Sequence, residues 1–216
     1  MHSGHRNRFK DKFRKGAYFE DHELLELALY YAIPRCDTNE TAHRLINRFG
    51  SLRGVFSASE AELCSIEGIG ENSALFIRVI SEIIARIKLN ERNVKKLLSS
   101  DVELEGFLSA LFFSTPVEIT YVVLFDKKDR FISSECIGKG DAIGSPVNLR
   151  KIISLAKEKN AASLILAHNH INGMPMPSER DEEITRTVHM ALEANNITLI
   201  EHYVVSNDRC YPIINK

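Results

Sequence analysis

The chain has 216 residues, 44% hydrophobic and 26% charged, with a formal net charge of −1 and a sequence pI near 6.7. That length can bury a sizeable core or build two modest domains, and the balanced charge excludes a whole-chain basic field that would grip nucleic acid indiscriminately. Cys36, Cys64, Cys136 and Cys210 include no Cys-X-X-Cys pair, so they read as reduced thiols rather than a disulfide frame or zinc finger. No apolar core follows the N-terminal charges, which predicts no secretory leader, and no stretch reaches the ~20 apolar residues of a membrane span. The expectation is a cytoplasmic protein with no membrane partner.

Helical signals fill residues 1 to about 90. Arg6, Arg8, Lys10, Lys12, Arg14 and Lys15 face only Asp11, with Phe9 and Phe13 interleaved. Such a segment reads either as a phosphate-binding tail or as a solvated terminus. Asp21 caps an apolar run that stops at Pro34, and Thr38 caps another that ends at Phe49 before Gly50. A short piece follows through Val55 and Phe56. From Ala61 to Arg86 apolar residues recur at helical spacing around the break Ile66-Glu67-Gly68-Ile69-Gly70. This break resembles a helix-hairpin-helix element, in which two glycines permit a tight turn with amides aimed outward at the next helix N-terminus. The resemblance implies a DNA-phosphate contact at Gly68 and Gly70. A plain packed hairpin is the alternative, and Glu71-Asn72-Ser73 stand where phosphate-gripping relatives often carry Lys or Arg. The expected domains are an all-helical one over 1–92 and a second over 101–216, with the polar stretch Lys88 to Ser100 as junction.

From Asp101 onward strands alternate with helices. A helical stretch from Leu104 to Phe113 precedes Pro116 and Glu118. Strands are expected over Ile119 to Phe125 and Arg130 to Ile137, joined by a hairpin at Asp126-Lys127-Lys128-Asp129. A helix from Asn148 to Lys159, a strand from Leu164 to His168, a helix from Ser178 to Asn195 and a strand from Thr198 to Val205 follow. A short strand from Cys210 to Ile214, after an Asn207-Asp208 turn, closes an edge. Hairpins mixed with crossover helices make a mixed sheet covered by helices, an α/β architecture.

The chemistry concentrates where the apolar run Leu164-Ile165-Leu166-Ala167 ends in His168-Asn169-His170. In a strand, residues i and i+2 face one side, so both imidazoles can meet one ion. Gly173, Pro175 and Pro177 mark a turn, and Ser178-Glu179-Arg180-Asp181 opens a helix whose first-turn carboxylate can supply a third ligand. Two His and one Asp with a free fourth position is a catalytic zinc arrangement. Ordinary capping is the competing account, since Ser178 suits an N-cap and Asp181 suits a helix N-terminus in any protein. There is no His-Glu-X-X-His, and no His-X-Glu with Pro-Cys-X-X-Cys, so zincin and zinc-deaminase patterns are excluded.

His168-X-His170 followed by Ser178-X-X-Asp181 resembles the JAMM (MPN+) metalloprotease motif, and the string from His168 to Asp181 resembles the RadC family in particular. The likeness extends through Gly4-His5-Arg6, Asp21-His22-Glu23-Leu24-Leu25-Glu26, Pro34-Arg35-Cys36-Asp37-Thr38-Asn39, Phe49-Gly50-Ser51-Leu52 and Glu201-His202. Ile171-Asn172 and Leu149-Arg150-Lys151 depart from the family pattern, which puts loop shape and substrate contacts in question. The resemblance implies a JAMM/MPN-like mixed sheet with cytidine deaminase-like layering, beside a small all-α helix-hairpin-helix domain. It also implies one Zn2+ per chain held by His168, His170 and Asp181, with a peptide or isopeptide as substrate. An upstream glutamate would serve as general base, Glu118 by its place before an apolar strand or else Glu135, and Ser178 would donate to the oxyanion. Arg150 and His202 are read as a surface arginine and a hydrogen-bonded core histidine, each with a cleft role as the alternative. Two other functions compete with the hydrolase. One is a DNA repair or recombination accessory with a structural or vestigial metal. The other is a partner-binding module, against which the intact ligand set argues.

Overall fold

The computed structural model describes residues 2–34, 36–90, 98–113, 115–139, 146–170, 176–206 and 209–214, without the side chains of 2, 3, 90 and 146–148. The turn at Asn207-Asp208, most of the junction after Lys88, and Ile171-Asn172 through Pro175 lie outside that set. The chain divides into two compact units, residues 1–85 and 86–216.

The first unit is helical throughout: α1 (His2–Arg14), α2 (Asp21–Ala32), α3 (Asn39–Phe49), α4 (Leu52–Ser57), α5 (Glu60–Cys64) and the start of α6 (Glu71–Asn90). Local chemistry sets the ends. Glu20 and Glu23 form a reciprocal capping box at the start of α2, and Ser59 and Glu62 form one at α5. Thr38 occupies the position before α3, but its backbone is helical and its hydroxyl does not cap. It donates instead to the carbonyl of Glu26 at 3.3 Å, while Asp37 Oδ1 takes the Asn39 amide at 3.0 Å. Gly50 ends α3 in the left-handed region at φ 79°.

The basic N-terminal segment is helical, with Arg8, Arg14 and Lys15 exposed to solvent. It is α1, and Phe9 packs against the buried Phe19, Leu27 and Tyr30. Arg6 lies 4.6 Å from the Tyr30 ring centroid and donates to the carbonyls of Tyr30, Ile33 and Cys36 at the end of α2. The Tyr30 and Ile33 carbonyls are ones a helix C-terminus leaves without intrahelical donors, so a guanidinium is well placed there, and that of Cys36 lies just beyond the helix. Glu26 is fully buried and binds Tyr30 Oη, Asn39 Nδ2 and His5 Nε2 at 2.5, 2.8 and 3.1 Å. A buried carboxylate is tolerable only when surrounded by donors in this way.

The second unit carries a five-stranded sheet in the order β2-β1-β3-β4-β5. The strands are β1 (Ile119–Phe125), β2 (Phe131–Lys139), β3 (Ser163–Asn169), β4 (Thr198–Ser206) and β5 (Arg209–Pro212). Only β3 and β4 run parallel; β1–β2, β1–β3 and β4–β5 are antiparallel. Helix α7 (Asp101–Leu111) covers one face, packing Phe107 and Leu108 on Val123 and Ile165. Helices α8 (Pro146–Glu158) and α9 (Glu179–Glu193) cover the other, over Val122, Leu124, Leu164 and Leu166. β3 is central and buried along its whole length, which explains its nearly unbroken apolar run. Successive side chains alternate between the two helical layers, so the even-numbered residues of β1 and β3 face α8 and α9. His168 belongs to that even-numbered set.

Candidate metal centre

His168 leaves the sheet at the C-terminal end of β3, on the side covered by α9. The first turn of α9 brings Asp181 to the same point. Ser178 N-caps α9, accepting from the Asp181 amide, while Asp181 Oδ2 accepts the Ser178 amide at 2.8 Å and its hydroxyl at 2.6 Å. The capping box and the proposed ligand are therefore one device, because the cap fixes the carboxylate's direction. His168 Nε2 lies 3.0 Å from His170 Nε2 and 3.2 Å from Asp181 Oδ1, and His170 Nε2 lies 3.6 Å from Asp181 Oδ2. One ligand atom from each of the three falls within 4.8 Å of the others. Ligands at ~2.0–2.1 Å around a tetrahedral Zn2+ stand ~3.3 Å apart, so these separations match the chemistry of a His-His-Asp zinc site.

The electrostatics favour a cation. Burial raises the Asp181 carboxyl, but the hydrogens it takes from the Ser178 hydroxyl and amide oppose that and help hold it well below the usual carboxylate range. The anion is thus present and buried beside two imidazoles, a grouping that needs positive charge nearby.

Glu118 precedes β1 and is half-buried. Thr120 pairs with His168 at the end of the antiparallel β1–β3 ladder, and Glu118 lies two residues before Thr120, at the same end of the sheet. Asn169 brackets it: Oδ1 accepts the Ile119 amide at 2.8 Å and Nδ2 donates to the Val117 carbonyl at 3.1 Å. Glu135 sits in the edge strand β2 opposite Val122, which is level with Leu166, back from the tip of β3. Ser178 is at the site, with its hydroxyl hydrogen directed to Asp181 rather than outward. Gly68 and Gly70 belong to the first unit. They are exposed around the buried Ile69, and Gly68 has φ 93°. Arg150 is an exposed residue of α8.

Sequence reading passed over Thr185 and Asn169, and gave His202 a cleft role only as the alternative. His202 was read as a core histidine, and it is one, fully buried. Yet its Nε2 lies 2.9 Å from His168 Nδ1, directly behind the proposed ligand. Burial depresses its basicity strongly, with a further push from His168. Thr185 backs His202 in turn, with Oγ1 at 2.6 Å from His202 Nδ1 and 2.6 Å from the Asp181 carbonyl oxygen. Asn169 was passed over as the spacer between two histidines. The signals that could have found these residues were a histidine in mid-strand and a threonine four residues after Asp181. Glu201, next to His202, is structural: its Oε1 accepts the amides of His202, Ile213 and Ile214 and so fixes the end of the chain.

A mixed five-stranded sheet between helical layers, with a His-X-His strand tip facing an Asp in the next helix, defines a JAB-type α/β domain. The RadC-like JAB domain family model matches residues 98–215. UPF0758 protein FN0909 of Fusobacterium nucleatum subsp. nucleatum is 32% identical over 223 residues, spanning 99% of this chain and 96% of that protein. The chain belongs to the RadC family. Among the described residues, no helix is long and apolar enough to cross a membrane.

Proposed function

We propose that this protein is a zinc-dependent hydrolase that cleaves a peptide or isopeptide bond, with the first unit able to tether it to DNA. The observation that carries this is the convergence of His168, His170 and Asp181 within 4.8 Å, with Glu118 two residues before the Thr120–His168 pair at the same end of the sheet. His168 Nε2, His170 Nε2 and an Asp181 oxygen would hold the ion and leave a fourth place open. When bound, the ion supplies positive charge that acidifies water and polarises a carbonyl. Glu118 takes the proton of the attacking water and delivers it to the leaving amine as the carbon–nitrogen bond breaks. Ser178 turns its hydroxyl from Asp181 to the carbonyl oxygen as that atom gains charge, a contribution of ~3 kcal/mol per donor in comparable sites. Asn169 keeps Glu118 in place by holding the backbone on both sides of it.

The test is a panel of quenched fluorogenic peptide and isopeptide probes with zinc-loaded protein. Wild type cleaves at least one probe; His170→Ala loses both zinc and activity. Glu118→Gln keeps zinc and loses activity by ~100-fold or more. Hydrolysis that survives Glu118→Gln, or that persists after metal removal by chelator, overturns the proposal.

One feature favours the DNA-associated reading, the exposed Gly68–Gly70 turn ahead of α6. A Cβ built on Gly70 meets nothing within 4 Å, so Gly70→Asp adds negative charge there without a clash. Salt-sensitive duplex binding lost in Gly70→Asp, together with zinc but no hydrolysis in wild type, would move the assignment to an accessory protein.

A further inference from the structure

Three polar groups run in a line behind the proposed zinc ligand, and their hydrogen positions can be deduced in order. The Asp181 carbonyl has no hydrogen, and Thr185 Oγ1 lies 2.6 Å from it. Two oxygens that close need a hydrogen between them, so the single hydroxyl hydrogen of Thr185 is there. His202 Nδ1 lies 2.6 Å from the same Oγ1, and with the hydroxyl hydrogen already used, the hydrogen in that gap is on Nδ1. His202 is fully buried, where an unpaired imidazolium would be costly, so it is neutral with one N–H and its Nε2 is a bare acceptor. It faces His168 Nδ1 at 2.9 Å, which places the His168 hydrogen on Nδ1. His168 Nε2 is then a lone pair, pointing to where His170 Nε2 and Asp181 Oδ1 converge.

We propose that Thr185 and His202 form a positioning relay, anchored on the Asp181 carbonyl, that holds His168 in the Nδ1–H tautomer and so keeps Nε2 ready for a divalent cation. The inference rests on the metal reading above for its purpose, though not for its geometry. The start and end of the relay both lie on Asp181: its backbone carbonyl sets the hydrogen order and its side chain is the neighbouring ligand. Outer groups of this kind orient metal-binding imidazoles, and their loss typically costs on the order of 10- to 100-fold in metal affinity. Most such partners are carboxylates or carbonyls, which accept only. A neutral histidine could point either way, and here Thr185 decides its direction.

Two measurements on the full chain test this. In the metal-free protein in mildly alkaline buffer, long-range 1H–15N spectra of the imidazoles are expected to show both His168 and His202 as Nδ1–H. A hydrogen on His168 Nε2 overturns the relay. Competition with a chromophoric zinc chelator then compares Thr185→Val with Thr185→Ser. Val keeps the shape and removes the hydroxyl; Ser keeps the hydroxyl and removes the methyl. The relay predicts a zinc affinity lower by about 10-fold or more in Val and near wild type in Ser. A packing role for Thr185 predicts the reverse order, and that order, or equal loss in both, overturns the proposal. Wild-type protein that binds no zinc defeats the metal reading instead, and the imidazole spectra then judge the relay alone.

Discussion

Asp181→Ala and His170→Ala separate two contributions that the wild-type site combines. Without metal, Asp181 Oδ2 accepts the Ser178 amide and hydroxyl at 2.8 and 2.6 Å and closes the capping box of α9. Losing a cap of this kind costs about 1 kcal/mol. His170 is half-buried, and losing its ring contact with His168 Nε2 at 3.0 Å should cost metal-free His170→Ala about 1 kcal/mol. Free zinc at about a hundred times its dissociation constant stabilises the native protein by about 2.7 kcal/mol. For a unit of residues 86–216, each kcal/mol moves Tm by about 4 °C, so zinc should raise the wild-type Tm by about 10 °C. Asp181→Ala should melt about 4 °C low without metal. Neither variant should rise on adding zinc. Thermal melts by circular dichroism, in chelator and in zinc-buffered solution, read all six values. A zinc-dependent rise in His170→Ala equal to that of wild type would place the ion elsewhere and refute the three-ligand argument. Metal-free Asp181→Ala melting with wild type would refute the cap argument alone.

Gly68 has φ 93°, and a Cβ there would meet Thr41 Oγ1 at 2.6 Å; Gly68→Ala should therefore destabilise the first unit by ~1–3 kcal/mol in urea unfolding, and an unchanged midpoint would refute the strain. Glu26→Ala strips the partner from Tyr30 Oη, Asn39 Nδ2 and His5 Nε2. A loss of about 3 kcal/mol is expected, with Glu26→Gln losing less, both read in the same assay. Asn169→Ala frees the backbone at Val117 and Ile119. It should lower turnover about 10-fold or more while zinc affinity holds within a few-fold, and an equal fall in both would assign Asn169 to the ligand set instead.

The parts of the fold set by short-range pattern were legible in the sequence. β1 matches its expected span, and β3, α9 and β4 fall within a residue or two, because apolar runs and capping residues mark their limits locally. The three proposed ligands were readable for the same reason, since a strand tip and the next helix start are only eleven residues apart from His170 to Asp181. The basic N-terminal segment was not readable. Its charges suggested solvent or phosphate, whereas Phe9 and Arg6 also meet residues in and just after α2, eighteen to twenty-seven positions away. Thr38 was legible in position and not in role, because its hydroxyl is drawn to a carbonyl of α2 rather than to its own helix. What favours Glu118 over Glu135 as the proposed base is strand order, which local pattern does not reveal: β1 lies next to β3, and β2 does not. The relay was hidden for the same reason. His202 is thirty-four residues from His168, and only the parallel β3–β4 pairing brings the two rings together.

The most direct test of the central claim is the metal content of freshly purified protein beside an Asp181→Ala control, measured by elemental mass spectrometry. Zinc at about one per chain in wild type and near zero in the variant is the predicted result. Wild type without zinc, or the variant with its full share, would contradict it.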